Sequence, residues 1–241
     1  MADPVQIASG FSVVNRVLLY FSFLLAPAQL ASGLKNNCPS NIGFLAYSFY
    51  TQISWYRAIT NKELHALCLI LPHANILFNI TFLGGATSGN QVMGVFLGFG
   101  TAGLMILNNV CGWRSWIIDQ PDGFEVYRFF LFGWRTFNEN WHKFMLVWQI
   151  ADTIMLSIGV VAAIAIGIFA PRLTKHEEVD WWLKYAAIPV GLAVILFLAW
   201  PLIMWVELIF SSNNLQSDTD MVGVALFIVQ VVFMLVPSCG W

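Results

Sequence analysis

Charge is what this sequence has least of. Asp, Glu, Lys and Arg make up only 10% of its 241 residues, against 59% hydrophobic residues and a mean hydropathy of +0.72. A water-soluble domain carries about 25% charged residues, because its surface must be wetted. A globule made from this chain would lack that surface, so lipid must solvate much of it. The formal net charge is −2 and no basic run occurs, so nucleic acid is not expected as a partner. The four cysteines, at positions 38, 68, 111 and 239, show neither C-x-x-C nor Cys/His spacing, which argues against zinc. Met1–Asn15 lacks a positively charged n-region and leads into a long apolar run, so no cleavable signal peptide is expected. That run is read as a first span acting as its own insertion signal.

Other absences remove whole chemistries. Four isolated histidines are too few for a diiron desaturase, and segment 219–238 has no lysine to carry a retinal Schiff base. His65 and His142 read as interfacial helix-end residues rather than a bis-His haem site. No Walker or glycine-rich phosphate signature is present. The one D-x-x-D, Asp119 to Asp122, contains Pro121 and reads as a turn rather than a magnesium–diphosphate site. No metal and no organic cofactor is expected.

What the sequence has instead is long apolar runs. A membrane helix needs about 20 mostly apolar residues to cross roughly 30 Å of hydrocarbon. Segments 17–34, 65–85, 91–113, 143–170, 184–210 and 219–238 meet that need. A seventh, 41–57, is shorter and holds Ser48, Thr51, Gln52 and Ser54, so it either spans or lies in the interface. The expected fold is all-α: a polytopic transmembrane bundle of seven spans, with residues 1–241 as one transmembrane domain. Seven basic residues against four then put the N-terminus and the 114–142 loop in the cytoplasm, and the loop stays there if 41–57 does not span. In a eukaryotic cell the expected location is the endoplasmic reticulum membrane. Cys38 and Cys239 fall together on the opposite side, where a disulfide or two unpaired thiols are equally allowed.

Within the 114–142 loop, Gln120-Pro121-Asp122-Gly123 is a turn signal. Phe124, Tyr127, Leu131 and Trp134 then alternate with Glu125, Arg128 and Arg135, which predicts an interfacial amphipathic helix. Its expected role is membrane anchoring, with a lid over a cytoplasmic entrance as the sharper alternative.

Ionisable groups inside a span cost about 2.5–3.5 kcal/mol each on insertion scales. Asp152 sits near the middle of 143–170, Glu207 close to the cytoplasmic end of 184–210, and Asp220 opens the last span. Gln149 shares a helix face with Asp152, and Asn75 with Asn79; Asn108 and His73 lie in other spans. One inward-opening polar pocket would satisfy them together. Trp148 precedes Gln149, and Trp200, Met204 and Glu207 follow one another along a helix face. A carboxylic acid among aromatic walls is equipment for protonating an olefin or epoxide and steering the resulting cation. Against this stands the plainer reading that Asn, Gln and Asp glue helices and aromatics form belts; Asp152 divides evenly between the two, and Asp220 and Glu207 lean to structure.

In size, seven spans, aromatic content and buried acids, the chain resembles the small integral-membrane terpene cyclases of fungal meroterpenoid pathways. Trp205-Val206-Glu207 in a late span, with Asp152 as a second acid, is the nearest local feature. The resemblance implies a cyclase or isomerase acting on a lipid-soluble isoprenoid, with the bilayer and a hydrophobic small molecule as partners. Asp152 and Glu207 would be the catalytic acids. Gln149, Asn75 and Asn108 would orient the substrate, and Trp148, Trp200 and Trp205 would line the cation path. Two other classes fit the same composition: a small transporter or channel, and a non-catalytic subunit of a membrane complex.

Overall fold

A computed structural model describes residues 5–7, 9–33, 38–61, 91–117, 128–130, 133–136, 138–174 and 181–235. These form, in chain order, β1 (Val5–Ile7), α1 (Val13–Gly33), α2 (Cys38–Thr60), α3 (Gln91–Ile117), β2 (Arg128–Phe130) and β3 (Trp134–Thr136). They continue with α4 (Glu139–Thr174), α5 (Trp181–Ser212), β4 (Leu215–Ser217) and α6 (Met221–Leu235). The protein is mainly helical, and each expected span except 65–85 corresponds to one of these helices. Segment 65–85, with His65, His73, Asn75 and Asn79, lies outside the described residues, as do the Asp119–Asp122 turn and Cys239. Segment 41–57 belongs to the 23-residue α2. Two helical stretches, Gln91–Ile117 and Glu139–Phe169, are long and apolar enough to cross a membrane.

Small residues set the closest helix crossing. Gly94 and Gly98 on α3 face Ala163 and Gly167 on α4, four residues apart on each side. A Cβ on Gly98 would lie 2.8 Å from the Ala163 carbonyl oxygen and 2.9 Å from the Gly167 Cα. Backbone therefore rests on backbone, the contact that a small-xxx-small pattern permits. α2 packs on α3 and α6, and α1 on α5 and α6. Although α4 and α5 are consecutive, α4 packs chiefly on α3 and α5 chiefly on α1.

The outer faces are apolar. Val147, Ile154, Ile158 and Val161 of α4 and Val190, Val194, Phe197, Trp200 and Met204 of α5 are all exposed. The main core lies at one end of the bundle, where Phe11, Trp55, Ile59, Cys111, Ile209, Phe210 and Leu215 pack together.

The helical fold also carries two short strand pairings: β1 pairs in parallel with β4, and β2 in antiparallel with β3. One sequence expectation needs correction. The amphipathic helix expected in the 114–142 loop is absent from the described part of that loop. Residues 128–130 and 134–136 pair as antiparallel strands instead, and Gly133, just ahead of the second strand, has a φ of 139° that an L-residue rarely adopts. Aromatic Phe129, Phe130 and Trp134 and β-branched Thr136 favour the pleated form. Asn213 fixes the first strand by accepting from the Arg128 N–H and donating to the Arg128 carbonyl, each at 2.8 Å. The flanks of the loop belong to α3 and α4. The helix that corresponds to segment 143–170 runs on through Pro171 to Thr174. A proline in the last turn removes only one ladder bond.

Candidate functional site

The site grows from the first helix start. Ser12 caps α1: its hydroxyl oxygen accepts from the Asn15 N–H at 3.3 Å, and its carbonyl accepts from the Arg16 N–H at 2.9 Å. The chain ahead of this cap is held by β1–β4 pairing, by Gly10 N–H donating to the Asp218 carbonyl, and by Phe11 N–H donating to Ser217 Oγ. Gly10 has a φ of 95° and brings its backbone against Asp220. The N-terminal segment is thereby fastened to the turn between α5 and α6.

Asn15 extends the fastening into a reciprocal pair. Its Nδ2 donates to the Asp220 carbonyl at 3.1 Å, and its Oδ1 accepts from the Asp220 N–H at 2.9 Å. Asp220 in turn caps α6, with Oδ1 accepting from the Val222 N–H at 3.0 Å. Its other oxygen, Oδ2, accepts from the Tyr50 hydroxyl of α2 at 2.8 Å. Three helices thus meet at Asp220, α2 and α6 at its carboxylate and α1 at its backbone.

One turn deeper, Arg16 and Glu207 form a bidentate pair, Nε to Oε1 at 2.7 Å and Nη2 to Oε2 at 3.0 Å. Tyr20 donates to the same Oε1 at 2.7 Å, and Arg16 Nη1 donates to the Phe11 carbonyl at 2.6 Å. The guanidinium lies 3.9 Å from the centroid of the Phe210 ring. Both oxygens of Glu207 are therefore occupied, and the buried Arg16 charge is matched.

Between these groups is a small half-open hollow of about 30 Å3. Phe11, Tyr47 and Trp55 supply its aromatic wall, and Asn15, Arg16, Thr51, Ser54 and Asp220 its polar groups. Phe11 and Trp55 stack with centroids 5.5 Å apart. The arrangement offers a carboxyl group beside ring faces, which can donate a proton and stabilise positive charge. Among the described residues no three His, Cys, Asp or Glu side chains are grouped to hold a metal ion.

The residues singled out from sequence fall elsewhere. Gln149 is buried between α3 and α4, donating to Asn109 Oδ1 at 3.1 Å. Thr153 lies 3.0 Å from the same oxygen and accepts from Trp113 Nε1 at 2.9 Å. Gly112 makes room, since a Cβ there would stand 2.5 Å from the Gln149 amide oxygen. Asp152 sits beside this group on α4, half-buried. Asn108 is buried on α3. Trp148 and Trp200 are exposed, while Trp205 packs against the main core. Glu207 stands one turn from the hollow, bound to Arg16. Asn75 lies outside the described residues. Among the described residues, the polar side chains expected to share one pocket fall into two groups, one around Asp220 and one around Gln149.

Sequence reasoning passed over Asp220, Asn15 and Tyr50 as a set. Asp220 carries a cap signal, Asp immediately before an apolar run, but its partners are 170 and 205 residues away. No family model, no curated protein and no solved structure matches this chain.

Proposed function

We propose that this chain is a multi-pass membrane cyclase or isomerase that protonates an olefin or epoxide of a lipid-soluble isoprenoid. The hollow beneath the β1–β4 pair is its active site and Asp220 its acid. The observation that carries this reading is the Asp220 carboxyl group standing beside Phe11, Tyr47 and Trp55 in the hollow. Oδ1 is committed to the α6 cap, so Oδ2 is the oxygen that carries the transferable proton. That proton passes to the substrate alkene carbon or epoxide oxygen, ring closure moves the cation along the chain, and loss of a proton ends the reaction. The rings stabilise the cation by cation–π attraction, and the apolar wall limits quenching by water.

The remaining groups take supporting roles. Glu207 neutralises Arg16 and fixes the α1–α5 contact, while Asn15 orients Asp220. Gln149, Asn109 and Thr153 join α3 to α4. Asp152, outside the hollow, is the competing acid.

The outward apolar stripes of α4 and α5 and the glycine crossing of α3 with α4 support several spans. A soluble monomer rarely exposes such surface. The β2–β3 pair, with Phe130 and Trp134 exposed, is placed at the cytoplasmic interface as an anchor. The membrane is that of the endoplasmic reticulum if the cell is eukaryotic.

A second reading, solute transport, draws on buried polar atoms without hydrogen-bond partners on α2, α3 and α6: Ser48 Oγ, Gln52 Oε1, Thr101 Oγ1 and both amide atoms of Gln230. Against it, α5 runs unbroken through Pro189 and Pro201, whereas midplane transport sites favour discontinuous helices.

The test is product formation in microsomes supplied with prenylated arenes bearing an olefinic or epoxide terminus. Cyclised product from the wild type, lost in Asp220→Asn at equal expression, is the expected result. No conversion by a folded wild type, together with uptake of solute by vesicles, would replace this reading with transport.

A further inference from the structure

An acid that gives up its proton must recover it before the next turnover. Asp220 has only one oxygen available for that exchange, because the Val222 N–H holds Oδ1. The group bound to the other oxygen is the Tyr50 hydroxyl, at 2.8 Å. Tyr50 lies on α2 and is half-buried. Ser54, one turn further along the same face of the helix, lines the hollow. Arg57, exposed at the end of α2, lies beyond them.

We propose that Tyr50 and Ser54 are the hydroxyl relay that returns a proton from water to Asp220. The proposal rests on the cyclase reading of the hollow. After Asp220 has protonated the substrate, its Oδ2 is a carboxylate oxygen. The Tyr50 O–H bond breaks as the Asp220 O–H bond forms. The Tyr50 oxygen takes the Ser54 hydroxyl proton, and Ser54 takes one from water. One proton moves from solvent to Asp220, every hydroxyl is regenerated, and nothing is oxidised or reduced. The proton released by the cyclised cation returns to solvent, so the cycle balances.

The surroundings leave Tyr50 as the group placed for this step. From α1, Asn15 faces Asp220 through its amide and Arg16 is committed to Glu207 and the Phe11 carbonyl. From α2, Tyr47 lines the hollow, but its ring packs edge-on against Phe227 at 5.9 Å between centroids. Tyr50 acts through Asp220 and is a positioning residue rather than one that touches substrate.

The test compares wild type, Tyr50→Phe and Asp220→Asn in turnover of a farnesyl arene with a terminal epoxide. Tyr50→Phe keeps the ring and removes the hydroxyl. Loss of a proton-transfer group is worth on the order of 10²-fold, so kcat should fall by roughly that factor with KM nearly unchanged. The solvent deuterium isotope effect on kcat should rise, and Tyr50→Ser should not restore the rate. A packing role would instead raise KM and lower thermal stability, leaving the isotope effect alone. A Tyr50→Phe enzyme with wild-type kcat and isotope effect would overturn the relay while leaving the cyclase reading intact.

An infrared titration provides a readout independent of turnover. The carbonyl band of protonated Asp220, identified by its loss in Asp220→Asn, should move to higher frequency in Tyr50→Phe. An unmoved band would refute the pairing. If the wild type converts nothing but the band moves, the cyclase reading fails and the relay fails with it as a catalytic device.

Discussion

The α3–α4 contact and the β1–β4 end of the bundle are built from opposite materials. Along α3 and α4 the closest approach uses no side chain: Gly98 and Gly167 meet at backbone distance. The polar residues there, Asn109, Gln149 and Thr153, satisfy one another. At the other end, charged groups are drawn in and each is answered by a specific partner, Arg16 by Glu207 and Asp220 by Tyr50. In hydrocarbon, association cannot rely on water-driven burial, so close packing and hydrogen bonds must hold helices together. The first region uses those means for structure alone. The second keeps an open hollow beside its charges, and that difference separates glue from a candidate site.

Three substitutions sharpen this comparison. The largest effect should come from Gly98→Leu, which forces side-chain atoms into the α4 backbone. Overpacking of this kind costs about 3 kcal/mol, and melting in detergent should show a large loss, whereas Gly103→Ala should be near neutral because its Cβ meets only Phe49 Cζ at 3.5 Å. Tolerance of leucine at position 98 would mean the crossing is wrong.

Next comes Glu207→Ala, which strands a buried guanidinium. Breaking a fully buried pair costs roughly 3–5 kcal/mol, and the loss here should be about 2 kcal/mol because the Glu207 side chain is 41% exposed. Arg16→Met should cost less, since water reaches the carboxylate left behind, and combining Arg16→Met with Glu207→Leu should recover most of the loss. Additive losses in the double variant would argue that the two side chains do not pair.

The smallest effect belongs to Gln149→Leu, which removes one interhelical hydrogen bond worth about 0.6 kcal/mol in a membrane. Thermal stability should drop slightly and catalysis stay unchanged. A large loss of turnover would move the site to α4.

Composition made the helices legible, and two of them are long and apolar enough to cross a membrane. Six of the expected spans correspond to helices on that basis. The β2–β3 pairing was not legible. Counting Phe124, Tyr127, Leu131 and Trp134 as one helical face runs across Gly133, just ahead of the second strand. Arg16 counted as a cytoplasmic loop charge, but it is buried against Glu207, 191 residues away. Removing it changes the count of basic residues from seven against four to six against four. Asp220 was legible as an acid opening the last span, but its partners were not, because Tyr50 and Asn15 reach it only through tertiary packing. Residues chosen for intramembrane polarity alone, Asp152 and Gln149, fell in the region that uses polarity for packing.

The most direct test of the central claim sets these two carboxylates against each other. Microsomes carrying wild type, Asp220→Asn or Asp152→Asn, matched for folded protein, are supplied with the epoxide-terminated farnesyl arene and the cyclised product is quantified. Product that disappears with Asp220→Asn and persists with Asp152→Asn is the predicted result. Product that persists with Asp220→Asn and disappears with Asp152→Asn would contradict the account and place the acid between α3 and α4.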